Sequence, residues 1–322
     1  MISPKWWLVV GVSGALALGV AACGGDDDDD DSGDGSTPSG LSGEITADGS
    51  STVGPLTEAV AEQFQQENPD VKVAVGTSGT SGGFEKFCAG ETDISDASRA
   101  IESTEKKACA DNGIDYEEVH VATDALTVVV NPDNPVTCMT TDQLNQVWDK
   151  GSTLDNWDQI KDLDADYSET LDLFGPGTDS GTFDYFTEAI NGEEGVQRTD
   201  YNNVGEDDNA TVTGVAGSPG GMGYFGYSYY NENQDKVKAL EIDGGDGCVA
   251  PSVETAQDNS YQPLSRPLFI YPAAEKLQDP TVKAFVEYYV DHVNDITEQV
   301  GFIPLTDEQL SQSQADVQKI TG

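Results

Sequence analysis

The chain reads Gly175-Pro176-Gly177-Thr178-Asp179-Ser180-Gly181-Thr182-Phe183 between the apolar run 171–174 and a series of apolar residues at helical spacing. This order predicts a strand, a glycine-rich turn and a helix. Asp179 or Ser180 suits the N-cap position, which leaves the backbone N–H groups of Ser180, Gly181 and Thr182 free at the positive end of the helix dipole. Such a turn can bind an oxyanion, although the same residues also suit an ordinary helix cap.

Three more stretches in the first third of the chain repeat the order of strand, polar turn and helix. Their turns are Asp48–Pro55, Gly76–Gly83 and the pair Ser98-Arg99 that follows the brief strand 93–97. In an open α/β sheet such turns converge at the carboxyl ends of the strands, where ligands bind. No turn has the spacing of a phosphate-binding P-loop or of a dinucleotide-binding turn, so the sequence does not indicate a nucleotide site.

The charge of the chain excludes some classes of partner. With 59 acidic and 15 basic residues, its formal net charge is −44 over 322 residues. Nucleic acid and anionic membrane surfaces are recognised through basic patches, so neither is expected to bind. An anionic ligand would have to be held by local dipoles against an unfavourable long-range field. The length predicts two domains or lobes.

The N-terminus predicts export. One basic residue, Lys5, precedes the apolar run Trp6–Val20, which ends in Val20-Ala21-Ala22-Cys23 and looks like a bacterial lipobox. We therefore expect residues 1–22 to be a lipoprotein signal peptide and Cys23 to be acylated, which anchors the chain in the lipid bilayer at the outer face of the cytoplasmic membrane. A retained transmembrane anchor is the alternative. Residues 23–43 predict an extended acidic tether of Gly, Ser and Asp, whose aspartate run lacks the spacing of a calcium site.

The remaining chain predicts two lobes around a hinged cleft. The long β-branched stretch formed by residues 119–121 and 126–130 can cross between lobes, and the apolar stretch Pro263–Tyr271 is a second candidate for such a crossing. A C-terminal helical pattern returns to the first lobe. We expect lobe 1 to comprise residues 44–124 plus 268–322, and lobe 2 to comprise residues 125–267.

Four cysteines follow Cys23, and an even number in an exported chain indicates disulfide bonds with three possible pairings. If the lobes divide near Asp124, each lobe contains two of them, which predicts the pairs Cys88–Cys109 and Cys138–Cys248. A zinc site lacks support because no C-x-x-C motif or paired histidine accompanies them.

Five stretches in this order resemble the phosphate-binding lipoproteins of bacterial phosphate ABC importers. They are Gly49–Val53, Ser81–Phe84, Asp93–Arg99, Asp179–Thr182 and Leu264–Leu268. The resemblance implies an α/β chain with a two-lobed periplasmic-binding-protein-like fold of type II. In that fold each lobe is a mixed open sheet flanked by helices, and the ligand lies in the cleft between the lobes. It also implies that the protein captures inorganic phosphate and passes it to an ABC importer permease, with sulfate or molybdate as alternative ligands.

The resemblance implies a set of phosphate ligands: Ser51, Thr52, Ser81, Ser98, Arg99, Asp179, Ser180, Gly181 and Thr182. The chain departs from better-known members at two of the positions. Ser98 stands where they have an aspartate, and Pro176 stands where they have an arginine. We expect Arg99 to supply the positive charge, with Arg266 and Arg198 as weaker candidates. We expect Asp179 to supply the carboxylate that accepts the phosphate proton, with helix capping as its alternative role.

Two other classes of function remain. A hydrolase could use Ser180 as nucleophile, but its general base would have to come from His120 or His292, both of which suit structural or surface positions. A surface interaction protein such as an adhesin would explain the tether but not the four hydroxyl-rich turns. We therefore predict no catalytic residue, no cofactor, no metal site and a monomeric chain.

Overall fold

The computed structural model describes residues 40–321, so the predicted signal peptide, Cys23 and nearly all of the predicted tether lie outside the described residues. The strands are β1 Gly43–Gly49, β2 Val71–Gly76, β3 Ile94–Ala97, β4 Val119–Val130, β5 Cys138–Thr140, β6 Asp172–Gly175, β7 Asn202–Asn203, β8 Gly221–Gly226, β9 Lys238–Ala239, β10 Glu241–Asp243, β11 Cys248–Val249 and β12 Ser265–Pro272.

The helices are α1 Gly54–Glu67, α2 Thr80–Cys88, α3 Ser103–Asp111, α4 Thr141–Trp148, α5 Gly181–Phe186, α6 Asp208–Gly217, α7 Tyr227–Glu232, α8 Val253–Gln257, α9 Pro280–Thr297 and α10 Asp307–Thr321. Short 3-10 turns cover Trp157–Gln159, Lys276–Gln278 and Glu298–Val300, and one π turn, Thr187–Asn191, extends α5. All four predicted units of strand, turn and helix are present. Between residues 40 and 321, no helix is long and apolar enough to cross a bilayer.

One mixed sheet runs through the molecule in the strand order β2-β1-β3-β12-β4-β8-β6-β7, and β9 pairs with β4 at one side. The strands β1, β2 and β3 are parallel, as are β6, β7 and β8. Because parallel strands end at one edge, the turns after β1, β2 and β3 lie together. A separate small sheet has the order β11-β10-β5.

The long strand β4 joins the two halves of the large sheet. Its first half, from Val119 to Ala125, pairs antiparallel with β12, and its second half, from Leu126 to Val130, pairs antiparallel with β8. The sequence predicted a long β-branched stretch here, and the structure has one continuous strand of 12 residues. The chain therefore passes from one half-sheet to the other without leaving β structure.

Two large hydrophobic clusters lie on either side of this passage. One is built from residues between 45 and 122 and between 268 and 317, and the other from residues between 126 and 264. A small third cluster of Ala125, Tyr227, Ala256 and Ile303 bridges the two sets of segments. The division of this body into two lobes, with the boundaries expected above, stays a prediction.

Two disulfide bonds tie segments within these halves. The cysteines pair as Cys88–Cys109 and Cys138–Cys248, which is the pairing expected from a division near Asp124. In the described part of the chain, Cys138, Cys248 and Glu241 form a group with metal-ligand spacing, but its two sulfurs are bonded to each other. The disulfide leaves no thiolate there for a metal.

Candidate functional site

The turn after β1 presents Ser51 and Thr52. Gly49 has a φ of 148°, and a Cβ atom there would lie 2.0 Å from the backbone oxygen of Asp96, so the close approach of β1 to β3 requires glycine. The Ser50 N–H donates to that oxygen at 2.9 Å, and the Thr52 N–H donates to Ser50 Oγ at 3.2 Å. These bonds hold Ser51 and Thr52 directly before α1.

The second and third turns are bonded to each other. The Ser98 N–H donates to Thr80 Oγ1 at 3.2 Å, and the two hydroxyl oxygens lie 3.1 Å apart. At Gly83 a Cβ atom would lie 2.4 Å from the Cα of Gly49, so glycine also lets α2 pack directly against the end of β1. Ser81, in the first turn of α2, is thereby brought beside Ser98.

Arg99 is already paired with a carboxylate. Its Nη1 and Nη2 donate to the two carboxylate oxygens of Glu105 at 2.9 and 2.8 Å, and Nη2 also donates to Ser81 Oγ at 3.0 Å. Hydrogen bonding to Glu105 raises the pKa of Arg99 above its usual value. Arg99 therefore orients the Ser81 hydroxyl while most of its charge is balanced by Glu105.

The fourth turn places Gly181 opposite Thr52. A Cβ atom on Gly181 would lie 3.3 Å from Thr52 Oγ1 and 3.7 Å from Ser51 Oγ. Ser180 is the N-cap residue of α5 and is 4% exposed, and no side chain caps the helix. The first backbone N–H groups of a helix have no partner within the helix, so those of Gly181 and Thr182 are available to a ligand.

Arg266, which sequence analysis ranked below Arg99, occupies a more central position. It lies on β12 directly opposite Asp124 on β4, and its Nε and Nη2 each contact an Asp124 oxygen at 3.2 Å. Its Nη2 also donates to Thr52 Oγ1 at 2.8 Å, and its guanidinium lies 3.6 Å from the centre of the Tyr185 ring. Nη1 has no hydrogen-bond partner among residues 40–321 and is available to a ligand.

These groups line one cavity of about 220 Å³. Six of the predicted site residues contribute to its wall, namely Ser51, Thr52, Ser81, Ser98, Arg99 and Gly181. The wall also contains Arg266, which the sequence offered as a weaker candidate. The remaining wall residues were not predicted: Ser50, Ser78, Gly79, Thr80, Gly82, Asp184, Tyr185, Glu188 and Glu194. The cavity thus combines hydroxyl groups, backbone N–H groups and two arginines from both halves of the sheet.

Four of the sequence-predicted residues lie elsewhere. Ser180 and Thr182 line a neighbouring cavity of about 510 Å³, which also contacts Ser51, Thr52 and Gly181. Asp179 is exposed and lines neither of these two cavities, and it does not cap α5, where Ser180 is the N-cap. Arg198 is buried and bonded to Asp200 and to backbone oxygens of Val147 and Leu154. The structure therefore gives Arg198 a structural position.

Three carboxylates line the cavity beside the arginines. Glu188 and Glu194 are exposed, whereas Asp184 is partly buried on α5. Burial raises the pKa of Asp184, an effect that Arg266 opposes and Glu188 reinforces. Burial, Asp184 and Glu188 likewise raise the pKa of Glu194. An anion in this cavity therefore meets negative groups as well as positive ones.

The two histidines lie outside both cavities. His120 contacts the backbone oxygen of Ala122 at 2.9 Å, and burial lowers the pKa of its ring. His292 contacts the backbone oxygen of Tyr288 on α9 at 2.9 Å. Neither histidine is placed to activate Ser180 as a nucleophile.

Comparison with known proteins identifies the family of the chain. Residues 34–292 match the family model described as the PBP superfamily domain. The chain is 47% identical over 264 residues to Protein SphX of Synechococcus elongatus, an alignment covering 81% of this chain and 77% of the relative. It is 38% identical over 324 residues to the phosphate-binding protein PstS of Staphylococcus saprophyticus, covering 99% of this chain and 96% of the relative.

A solved structure is also similar. The crystal structure of a possible phosphate binding protein from Planctomyces limnophilus superposes with a TM-score of 0.83 at 43% identity, covering 88% of this chain and 100% of that one. Both the sequence matches and this structure extend over the halves that form the cavity. The chain therefore belongs to the PBP superfamily and, within it, to the family of the PstS phosphate-binding proteins.

Proposed function

We propose that the protein captures inorganic phosphate outside the cytoplasmic membrane and delivers it to the permease of an ABC importer. The names of the relatives support phosphate as the ligand. The cavity supports it independently, because a small anion can be held there by hydroxyl and backbone donors together with a guanidinium.

One observation carries this proposal. Arg266, whose Nη1 has no hydrogen-bond partner within residues 40–321, lines a cavity whose wall is formed by the turns after β1, β2 and β3 and by Gly181 of the fourth turn. Small oxyanions need several convergent donors to replace their hydration shell, and this arrangement provides them in a cavity of about 220 Å³. Tyr185 and Asp124 fix the guanidinium in place by stacking and by pairing.

The proposed ligand set follows from this geometry. It comprises Ser51, Thr52, Ser81, Ser98, Gly181 and Arg266, with Arg99 orienting Ser81 and with Ser180 and Thr182 contributing from the adjoining cavity. Since these residues come from both predicted lobes, we propose that phosphate binds between the lobes and draws them together. The monomeric state and the absence of catalysis belong to the same proposal.

The membrane anchor is also part of the proposal. The sequence ending in Ala22-Cys23 supports acylation of Cys23, and the acidic run that follows supports an extended tether between the bilayer and the folded body. The test is to change Cys23 to Ala, which should release the protein from membranes or leave it unprocessed. A mature chain that begins elsewhere would contradict this part.

Isothermal titration of the full chain tests ligand binding. The protein is first freed of endogenous anion by unfolding and refolding, and is then titrated with phosphate, sulfate and molybdate. Phosphate should bind most tightly. If only sulfate or only molybdate binds, that anion is the ligand instead of phosphate. If none of the three anions gives a heat of binding, the proposal is refuted.

A pair of glycine variants tests the location. Gly181→Ala places a methyl group 3.3 Å from Thr52 Oγ1, inside the cavity, and should weaken phosphate binding by about tenfold or more through loss of a backbone contact. Gly217→Ala is the matched control, because a Cβ atom at that helix end meets no atom within 4 Å. Equal phosphate affinity in the two variants would place the ligand elsewhere.

A further inference from the structure

The N–H groups of Arg99 are already occupied by protein acceptors. Its Nη1 donates to Glu105 and to the backbone oxygen of Ala100, and its Nη2 donates to Glu105 and to Ser81. Its Nε lies 3.6 Å from Glu102 Oε1. A guanidinium carries two N–H groups on each Nη and one on Nε, so each of them faces a protein oxygen. Direct contact between Arg99 and a bound phosphate would therefore break one of these interactions.

The Ser81 hydroxyl, in contrast, has a free donor. A serine hydroxyl can donate one hydrogen bond and accept two. Ser81 Oγ accepts from Arg99 Nη2 at 3.0 Å, and within residues 40–321 its hydrogen has no acceptor. Because Arg99 occupies a lone pair on one side of the oxygen, the O–H bond points away from the guanidinium. Ser81 is exposed and lines the cavity of about 220 Å³, so its hydrogen is available to a bound anion.

Glu105 fixes the position of Arg99. Its two carboxylate oxygens accept from Nη1 and Nη2 at 2.9 and 2.8 Å, which sets the plane of the guanidinium. One of these oxygens also accepts from the Glu102 N–H at 2.8 Å and completes the capping box at the start of α3. Burial raises the pKa of Glu105, but the hydrogen bonds from Arg99 and Glu102 outweigh burial and hold that pKa below its usual value. Glu105 is therefore ionised at neutral pH, and its charge balances that of Arg99.

A disulfide bond fixes α3 against the helix that carries Ser81. Cys109 follows Glu105 by four residues on α3, so the two side chains lie on the same face of that helix. Cys109 is bonded to Cys88 in the last turn of α2, and Ser81 lies in the first turn of α2. The helix α2 is thus tied to α3 at both of its ends, by the disulfide bond and by the hydrogen bonds through Arg99.

We propose that Glu105 is a positioning residue, which balances the charge of Arg99 and holds Arg99 against Ser81 so that Ser81 donates to the bound anion. Arg99 and Glu105 then act as a neutral unit that orients a ligand group and adds no net charge to the site, whereas Arg266 supplies the positive charge. This inference rests on the proposed function, since it concerns how the same site binds its ligand.

Phosphate titration of charge variants of the full chain tests whether the pair acts as a neutral unit. Arg99→Met leaves Glu105 without its partner beside the cavity, so the uncompensated negative charge should weaken phosphate binding by about tenfold or more. Adding Glu105→Gln removes that charge and should restore most of the loss. Adding Glu102→Gln instead is the matched control, because Glu102 also contacts Arg99 but its side chain is 59% exposed, and this change should restore little.

A double-mutant cycle tests the orientation of Ser81. In the wild type, Ser81→Ala should weaken phosphate binding by about tenfold to a hundredfold, because a hydrogen bond to a charged ligand is lost. In the background that carries both Arg99→Met and Glu105→Gln, the hydroxyl is no longer oriented, so the effect of Ser81→Ala should be smaller by about threefold or more. A salt bridge with a purely structural role would leave the effect of Ser81→Ala unchanged.

The outcomes separate this inference from the proposed function. If the wild type binds no phosphate, both fail. The inference alone fails if the wild type binds phosphate but Arg99→Met stays equally weak after Glu105→Gln is added, since Arg99 would then be the counter-charge itself. It also fails alone if Ser81→Ala has the same effect in both backgrounds.

A further measurement uses the wild type alone and does not depend on the folding of a variant. When phosphate is added, the side-chain N–H signals of Arg266 in the NMR spectrum should shift, because its Nη1 gains a partner. Those of Arg99 should shift much less, because its N–H groups keep their protein acceptors. A shift at Arg99 as large as the shift at Arg266 would overturn the inference.

Discussion

Removing the Arg266 side chain should lower both the stability of the fold and the affinity for phosphate. The two effects can be distinguished because they depend on different partners of Arg266. The side chains of Arg266 and Asp124 are 13% and 9% exposed and lie 3.2 Å apart, so they form a buried ion pair. Deleting one partner of such a pair leaves an uncompensated charge and costs about 3–5 kcal/mol. We therefore expect Arg266→Ala to lower the free energy of unfolding by about that amount, measured by urea denaturation near pH 8.

The pH dependence of this loss has a definite sign. Burial raises the pKa of Asp124, and Arg266 acts in the opposite direction, so removal of Arg266 should raise that pKa further. A carboxyl whose pKa is higher in the folded state stabilises the fold below its unfolded pKa, and this stability is lost as the pH rises through the folded pKa. The difference between Arg266→Ala and wild type should therefore shrink toward acid pH.

A double variant separates the two roles. Adding Asp124→Asn to Arg266→Ala removes the buried charge, and should restore most of the lost unfolding free energy and abolish the extra pH dependence. Phosphate affinity should stay low, because the guanidinium is still missing. An Arg266→Ala protein as stable as wild type at pH 8, or a double variant that binds phosphate normally, would refute the reasoning.

Three further predictions concern the body of the protein. Asp96 is fully buried, one of its carboxylate oxygens has no partner within residues 40–321, and burial raises its pKa to about 7. The free energy of unfolding of the wild type should therefore fall as the pH rises from about 4 to about 7, and it should fall by more than that of Asp96→Asn. Equal pH profiles in urea denaturation would contradict this. Gly83→Ala forces a Cβ atom to within 2.4 Å of the Gly49 Cα and should destabilise the protein by about 1–3 kcal/mol in thermal melts, whereas Gly217→Ala should not. The net charge of −44 should repel phosphate and slow its capture. Because salt screens this repulsion, the association rate measured by stopped-flow should increase as the salt concentration is raised from about 0.01 M to about 0.15 M. A decrease would indicate that the arginines dominate the electrostatic field at the cavity.

Several elements could be predicted from the sequence because their signals are local. The helix α1 shows apolar residues at helical spacing through Leu56, Val60 and Phe64, all of which are buried. The turns before α1 and α2 are marked by glycines that the packing requires. The helix α10 was missed because its sequence is mostly polar, and it is held by tertiary contacts such as the bond from Ser313 Oγ to the backbone oxygen of His120 at 2.6 Å.

The functional site likewise combines features with local sequence signals and features that depend on tertiary contacts. By itself the sequence determined the four turns and their hydroxyl groups, since glycine positions and hydropathy spacing act over a few residues. Only the tertiary structure decided which charged groups meet there. Arg266 lies 142 residues from Asp124 and 214 residues from Thr52, and the three meet because β12 and β4 pair in one antiparallel register. Such a register depends on the packing of the whole sheet, so the sequence around Arg266 did not indicate that Arg266 would occupy a more central position in the site than Arg99. Nor did the sequence indicate that Asp184 would line the cavity whereas Asp179 would not.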